Sequence, residues 1–209
     1  MKIFLGLDLG QRRDHSAIAI VRRDEQVRPW GETIFEGLSL LYVRRIPLGT
    51  SYPQVVEIVR AAVNQPELRG NCEIVVDATG VGAPVVEMLR TAGLACPIAS
   101  VTITGGEKES IRECFGGSEC NVPKRDLIAA LQVSLEKNQF RIASDISDLG
   151  SLVEELVNVR NVARESGRER IGADRAGEHD DLVIAVSLAA WKAARKAKTI
   201  GERNVRLFI

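Results

Sequence analysis

Residues 2–10 read Lys-Ile-Phe-Leu-Gly-Leu-Asp-Leu-Gly, an almost unbroken apolar run that carries one carboxylate, Asp8. A run of this kind, closed by glycine, predicts a central strand buried on both faces. Burying an unpartnered carboxylate there costs several kcal/mol, so Asp8 needs a chemical reason for its position.

Outward from this strand, Gly10–His15 is a polar turn and Ser16–Val21 is apolar again, closed by Arg22 and Arg23. A third strand falls within Ile34–Ile46, where Leu40, Leu41, Tyr42 and Val43 have strong β character. Three strands with short connections predict an antiparallel meander. The pattern then changes period. Ser51 and Gln54 have capping-box spacing, with Pro53 in the first turn, ahead of Val55, Val56, Val59, Ala62 and Val63 on one helical face. Cys72–Val76 is a short buried strand that ends in Asp77. Val85, Val86, Met88, Leu89 and Ala92 mark a second helix, stopped by Gly93. Ala95–Ile103 supplies a fifth strand. The order β-β-β-α-β-α-β is a meander followed by parallel crossovers.

Beyond it, Thr104–Asn121 holds four glycines and scattered charges and reads as a mobile loop. A helix is expected from Lys124 (Leu127, Ile128, Leu131, Leu135) and another from near Asp145 (Leu149, Leu152, Val153, Leu156). Val159–Gly177 is polar and arginine-rich. A last helix, from about Asp180 to Lys198, has no charge between Leu182 and Trp191. Such a helix should be buried against the sheet.

Composition narrows the function classes. In 209 residues, 28 Lys and Arg balance 28 Asp and Glu, so any nucleic-acid site must arise from local patches. Aromatics are 4%, too few to advertise a stacking platform for single strands. No apolar run approaches the ~18–20 residues that span a bilayer, and Asp8 argues against a leader peptide. Cys72, Cys96, Cys114 and Cys120 have unrelated spacings and are expected as reduced thiols.

The chemistry rests on carboxylates. If the first and fourth strands are neighbours, Asp8 and Asp77 lie side by side at one sheet edge. The cluster His179-Asp180-Asp181, at the start of the apolar last helix, needs only to reach that edge. Asp14 and His15 follow the first strand closely enough to approach it as well. Taken singly, Asp77, Asp180 and Asp181 read more simply as turn or cap residues, which Asp8 inside its apolar strand does not; together they repel one another and call for cations between them. Hard oxygen ligands favour Mg2+ or Mn2+, and two such ions about 4 Å apart are the apparatus of in-line phosphodiester hydrolysis.

Gly6-Leu7-Asp8 with Asp14 and Ser16-Ala17-Ile18 resembles the first sequence block of phage terminase large-subunit nuclease domains. Val75-Val76-Asp77-Ala78-Thr79-Gly80-Val81-Gly82 resembles the second, and His179-Asp180-Asp181-Leu182-Val183 the last and most specific. Pro123-Lys124-Arg125-Asp126-Leu127-Ile128 and Phe140-Arg141-Ile142 fit the same spacing. The resemblance implies one ribonuclease H-like domain over residues 1–209: a mixed five-stranded sheet, order 3-2-1-4-5 with the second strand antiparallel, flanked by helices. It implies that Asp8, Asp77 and Asp181 ligate two Mg2+ or Mn2+ ions, that Asp180 is a further ligand, and that His179 orients a ligand or water. A third Asp often found three positions after the second Asp of the last block is Ile184 here.

By the same resemblance the substrate is double-stranded viral DNA, cut during packaging in the cytoplasm of a bacterial host. A packaging ATPase domain, the small terminase subunit and the portal are its implied partners. The chain has no G-x-x-x-x-G-K-[ST] loop, so motor activity is not expected of it. The arginines 160, 164, 168, 170 and 175 are expected on a hairpin or loop that contacts phosphates; Lys124 and Arg125 are further candidates. A Holliday-junction resolvase and a catalytically silent DNA-binding module are the alternatives within the fold. Sugar kinase-like ATPases share the opening Asp-Leu-Gly, but they need two domains around a nucleotide.

Overall fold

The apolar run at the N-terminus forms β1 (Lys2–Asp8), an interior strand with β2 (Ala17–Val27) antiparallel on one side and β4 (Cys72–Asp77) parallel on the other. In the computed structural model residues 2–10, 14–80, 82–165 and 179–195 are described, 160–165 by backbone alone. The remaining elements are β3 (Thr33–Arg45), α1 (Tyr52–Val63), α2 (Gly82–Thr91), β5 (Ile98–Thr104), β6 (Ser110–Cys114), β7 (Gly117–Pro123), α3 (Lys124–Glu136), β8 (Phe140–Ile142), α4 (Leu149–Glu165) and α5 (Asp181–Ala194).

The sheet order is β6-β7-β5-β4-β1-β2-β3-β8. The expected five-stranded order stands at its centre, with β2 antiparallel, and three strands extend it. At one end β8 pairs parallel with β3; at the other β7 continues β5 and carries β6 as an antiparallel edge. The Thr104–Asn121 segment is thus a hairpin and not the expected loop. The sequence hides it for a physical reason. The first four residues of β6 are exposed, and the buried positions of β7 include Ser118, so neither strand shows apolar alternation. β8 has three residues and exists by pairing alone.

Because successive strand residues point to opposite faces, β1 feeds two cores. Ile3, Leu5 and Leu7 pack with Ile74 and Val76 under α1 and α2. Phe4 packs with Val75 under the helices of the other face, where Leu127 and Leu131 (α3), Leu152 (α4) and the long buried run of α5 meet. The capping-box spacing of α1 is realised in part, as the Ser51 N–H donates to Gln54 Oε1 at 2.9 Å. The helix expected from near Asp145 begins at Leu149 and runs to Glu165, so the segment beyond Val159 starts as helix and not as loop. The side chains of Arg160 and Arg164 and the whole of Arg168, Arg170 and Arg175 lie outside the described residues.

The last helix is buried from Asp181 to Trp191, as its lack of charge implies. Its height against the sheet is set by Gly6, where a Cβ would stand 1.9 Å from the Ala185 carbonyl oxygen. Any side chain there would push α5 off β1. Among the described residues no helix is long and apolar enough to cross a membrane.

Candidate active site

Asp8 and Asp77 follow Phe4 and Val75 in the two-residue strand period, so both project toward α5. Leu7 pairs with Val76, which places the two carboxylates next to each other where β1 and β4 end. Asp77 is held by a tight turn: its Oδ1 accepts the Thr79 N–H at 2.8 Å, and Thr79 Oγ1 accepts the Ile103 N–H at 2.8 Å. Gly82 permits this turn to meet α2, since a Cβ there would stand 2.2 Å from the Asp77 carbonyl oxygen.

The first turn of α5 reaches the same edge. Asp180 occupies the N-cap position yet makes no side-chain cap bond. Its Oδ2 instead accepts from Lys124 Nζ at 2.6 Å. The capping is done by Glu155 of α4, whose Oε2 accepts the Val183 N–H at 3.0 Å. A residue read from its position as a cap is thereby released for another task. Asp181, 5% exposed, accepts from Arg45 Nε at 2.8 Å, and its other oxygen lies 3.8 Å from His179 Nδ1. The ring of His15 meets that of His179 edge-on at 5.8 Å, and His15 Nδ1 sits 3.1 Å from the Ile46 carbonyl oxygen. Asp14 is exposed.

The electrostatics follow from this crowding. Burial pushes the Asp8 acid well above the usual carboxylate range, and Asp77, Asp180 and Asp181 push it further; Lys124 opposes them. Burial also raises Asp77, against the Thr79 bonds and Lys124. Burial raises Glu155 to about 7, with Asp181 adding to the rise and the Val183 N–H and Arg45 working against it. For Arg45, burial works to lower the pKa and is outweighed by Asp181 and Glu155, so the guanidinium stays charged.

Asp77, Asp180 and Asp181 all lie within electrostatic reach of Asp8, and the four carboxylates offer hard oxygen donors whose repulsion at Asp8 a divalent cation would relieve. The donors fit Mg2+ or Mn2+ by chemistry. Asp180 and Asp181 are each engaged by a basic partner, and among the described residues no three His, Cys, Asp or Glu side chains stand placed to hold a metal ion as they lie.

All five residues singled out from sequence, Asp8, Asp77, His179, Asp180 and Asp181, thus meet at one edge. Lys124 joins them. Arg45 and Glu155 were not anticipated. Their signals were nevertheless present: Glu155 lies three positions after Leu152, on the buried face of α4. Arg45 continues the alternation of Val43 and stands in register with Ala17, itself the partner of Asp8. The four cysteines are free.

No protein-family model matches the sequence, and no curated protein matches it. Among solved structures, the fold is that of the large terminase nuclease from thermophilic phage G20c, with a TM-score of 0.56 and 20% identity over 91% of this chain and 82% of that one. The nuclease domain of the large terminase g2p of bacteriophage SPP1, solved with bound Mn, gives 0.53 and 11% over 92% and 86%. The human cytomegalovirus terminase nuclease domain gives 0.50 and 11% over 91% and 81%. The chain has the ribonuclease H-like fold of these nuclease domains.

Proposed function

We propose that this chain is a single divalent-metal-dependent DNA endonuclease domain. The observation that carries the reading is the gathering of Asp8, Asp77, Asp180 and Asp181 where β1, β4 and α5 meet, with the acid of Asp8 driven up by burial and by the other three. The fold shared with terminase nucleases, one of them solved with bound Mn, supports it.

Asp8, Asp77 and Asp181 would hold Mg2+ or Mn2+, with Asp180 as a further ligand. Two such ions, when bound, would activate the attacking water and stabilise the leaving oxygen. The protein's own groups prepare the site for this. Asp8 and Asp77 are fixed by the sheet and by the Thr79 turn, so neither has to be ordered when substrate arrives. Lys124 can exchange its Asp180 contact for a phosphate oxygen, as a mobile ammonium charge does readily. His179 is near enough to Asp181 to orient a ligand or water. Duplex DNA would be held through phosphates and groove shape, with little choice of sequence. Cutting of concatemeric viral DNA in a bacterial cytoplasm, beside a packaging ATPase, a small terminase subunit and a portal, is the setting this reading entails.

One observation favours a second reading, a module that binds DNA without cutting it: Lys124 and Arg45 already engage two of the four carboxylates. Cleavage of supercoiled plasmid with Mg2+, Mn2+ or EDTA separates the two. Metal-dependent nicking that falls by about 10³-fold or more in Asp181→Asn and Asp77→Ala, with both variants folded, is the expected result. Binding of duplex DNA with no cutting under any metal would instead select the silent module.

A further inference from the structure

Arg45 is the last residue of β3, yet it touches three other parts of the chain. Its Nε donates to Asp181 Oδ2 at 2.8 Å, and its terminal nitrogen donates to Glu155 Oε1. Its backbone N–H donates to Asp148 Oδ2 at 2.9 Å, just before α4. Glu155 completes the connection through its second oxygen, which accepts the Val183 N–H at 3.0 Å. Glu155 is 4% exposed and Asp181 5%, so neither carboxylate can turn to water for a substitute partner.

These bonds form a closed path: strand end to Asp181, strand end to Glu155, Glu155 back to the first turn of α5. Gly6 sets the distance of α5 from the sheet, whereas this path sets the rotation and side-chain direction of the helix's first residue. One oxygen of Asp181 is committed to Arg45; the other faces His179. A guanidinium suits the task because its planar fork holds two carboxylates at once, whereas an ammonium offers one mobile point of charge.

We propose that Arg45 and Glu155 act together as positioning residues that fix which oxygen of Asp181 is presented to a divalent cation. The proposal rests on the reading of Asp181 as a metal ligand. Outer partners of metal-binding carboxylates typically change metal affinity by about 10–100-fold when altered.

The test is a Mn2+ titration of the full chain, following free Mn2+ by electron paramagnetic resonance. Wild type, Arg45→Lys, Asp181→Asn and the double variant are compared, with Tm recorded for each. Arg45→Lys keeps the charge but not the fork, so net electrostatics at the edge are preserved. Mn2+ should bind it about tenfold more weakly or worse, with the Mn2+ level for half-maximal nicking rising alongside. In the Asp181→Asn background the same change should have no further effect, the non-additivity expected of groups acting through one another. Glu155→Gln, which keeps an oxygen for the Val183 N–H, should weaken Mn2+ binding in the same direction. It serves as the second probe if Arg45→Lys folds poorly.

Unchanged or tighter Mn2+ binding in both variants would overturn the proposal, as would a loss that persists at full size without Asp181. A wild type that binds no Mn2+ would overturn both the proposal and the nuclease reading. The expected affinity pattern without DNA cutting would support the clamp and overturn the endonuclease alone.

Discussion

The two ends of α5 are built on opposite electrostatic plans. At its C-terminal end every described cation has a partner. Arg23 of β2 donates to the carbonyl oxygens of Ala193 and Arg195, pairs with Glu25 and stacks on Phe35 with its guanidinium 4.7 Å from the ring centre. Lys192 pairs with Glu73 at 3.0 Å. Arg195 pairs with Glu109 and lies 4.0 Å over the Trp191 ring. Cations here also complement the helix dipole. At the N-terminal end Asp8, Asp77, Asp180, Asp181 and Glu155 are met by Lys124 and Arg45, with His179 3.8 Å from Asp181. One end holds the helix to the sheet; the other gathers carboxylates, of which Asp8 and Glu155 are pushed toward the neutral form by burial. Perturbed carboxylates gathered in this way are the feature on which the proposed metal site rests.

Changes at the two ends should therefore separate activity from stability. The largest expected effect is that of Asp8→Asn. It should lower plasmid cutting by about 10³-fold or more while raising the Tm of the metal-free protein by about 3 °C, because a buried, repelled acid has been neutralised. Cutting retained by that variant, or a fall in its Tm, would erase the contrast.

At the other end Arg23→Ala should cost about 3 kcal/mol of unfolding free energy in urea. It strips the last carbonyls of α5 of their donor and leaves Glu25 unpaired. Cutting per folded molecule should stay near wild type. A matching loss of activity at low temperature would mean that the two ends are coupled through the helix.

The smallest effect concerns pH. Glu155 holds its proton to about 7 in the folded chain against 4.5 as its ordinary value. Between those values the folded state binds more protons than the unfolded one, so stability falls as pH rises. In EDTA the loss from pH 5 to pH 8 should be on the order of 2 kcal/mol greater for wild type than for Glu155→Gln. Parallel pH curves would remove Glu155 from the account of this end.

Much of this architecture was legible in the residues. Asp8 stood out because a carboxylate within Leu-Gly-Leu-Asp-Leu-Gly is costly unless it has a task, and Asp77 because it closes a second apolar strand. The charge-free stretch from Leu182 to Trp191 announced a helix buried against the sheet. What escaped notice lacked a local pattern. β6 and β7 carry exposed or small polar residues and are strands only through their pairing. Arg45 and Glu155 are separated by 110 positions in sequence, and nothing local to either records that they meet over Asp181.

The sequence by itself determined the order of elements from β1 to β5, the buried last helix and the positions of Asp8 and Asp77 at strand ends, because hydrophobic periodicity and the cost of burying charge act over a few neighbouring positions. Tertiary structure alone decided how those acids are held. It made Glu155 the cap of α5 and so released Asp180. It set Arg45 between two carboxylates, and it fixed the approach of α5 through the missing side chain of Gly6. These outcomes depend on which surfaces meet across the sheet, and hydrogen bonds and close packing between distant segments leave no periodicity along the chain.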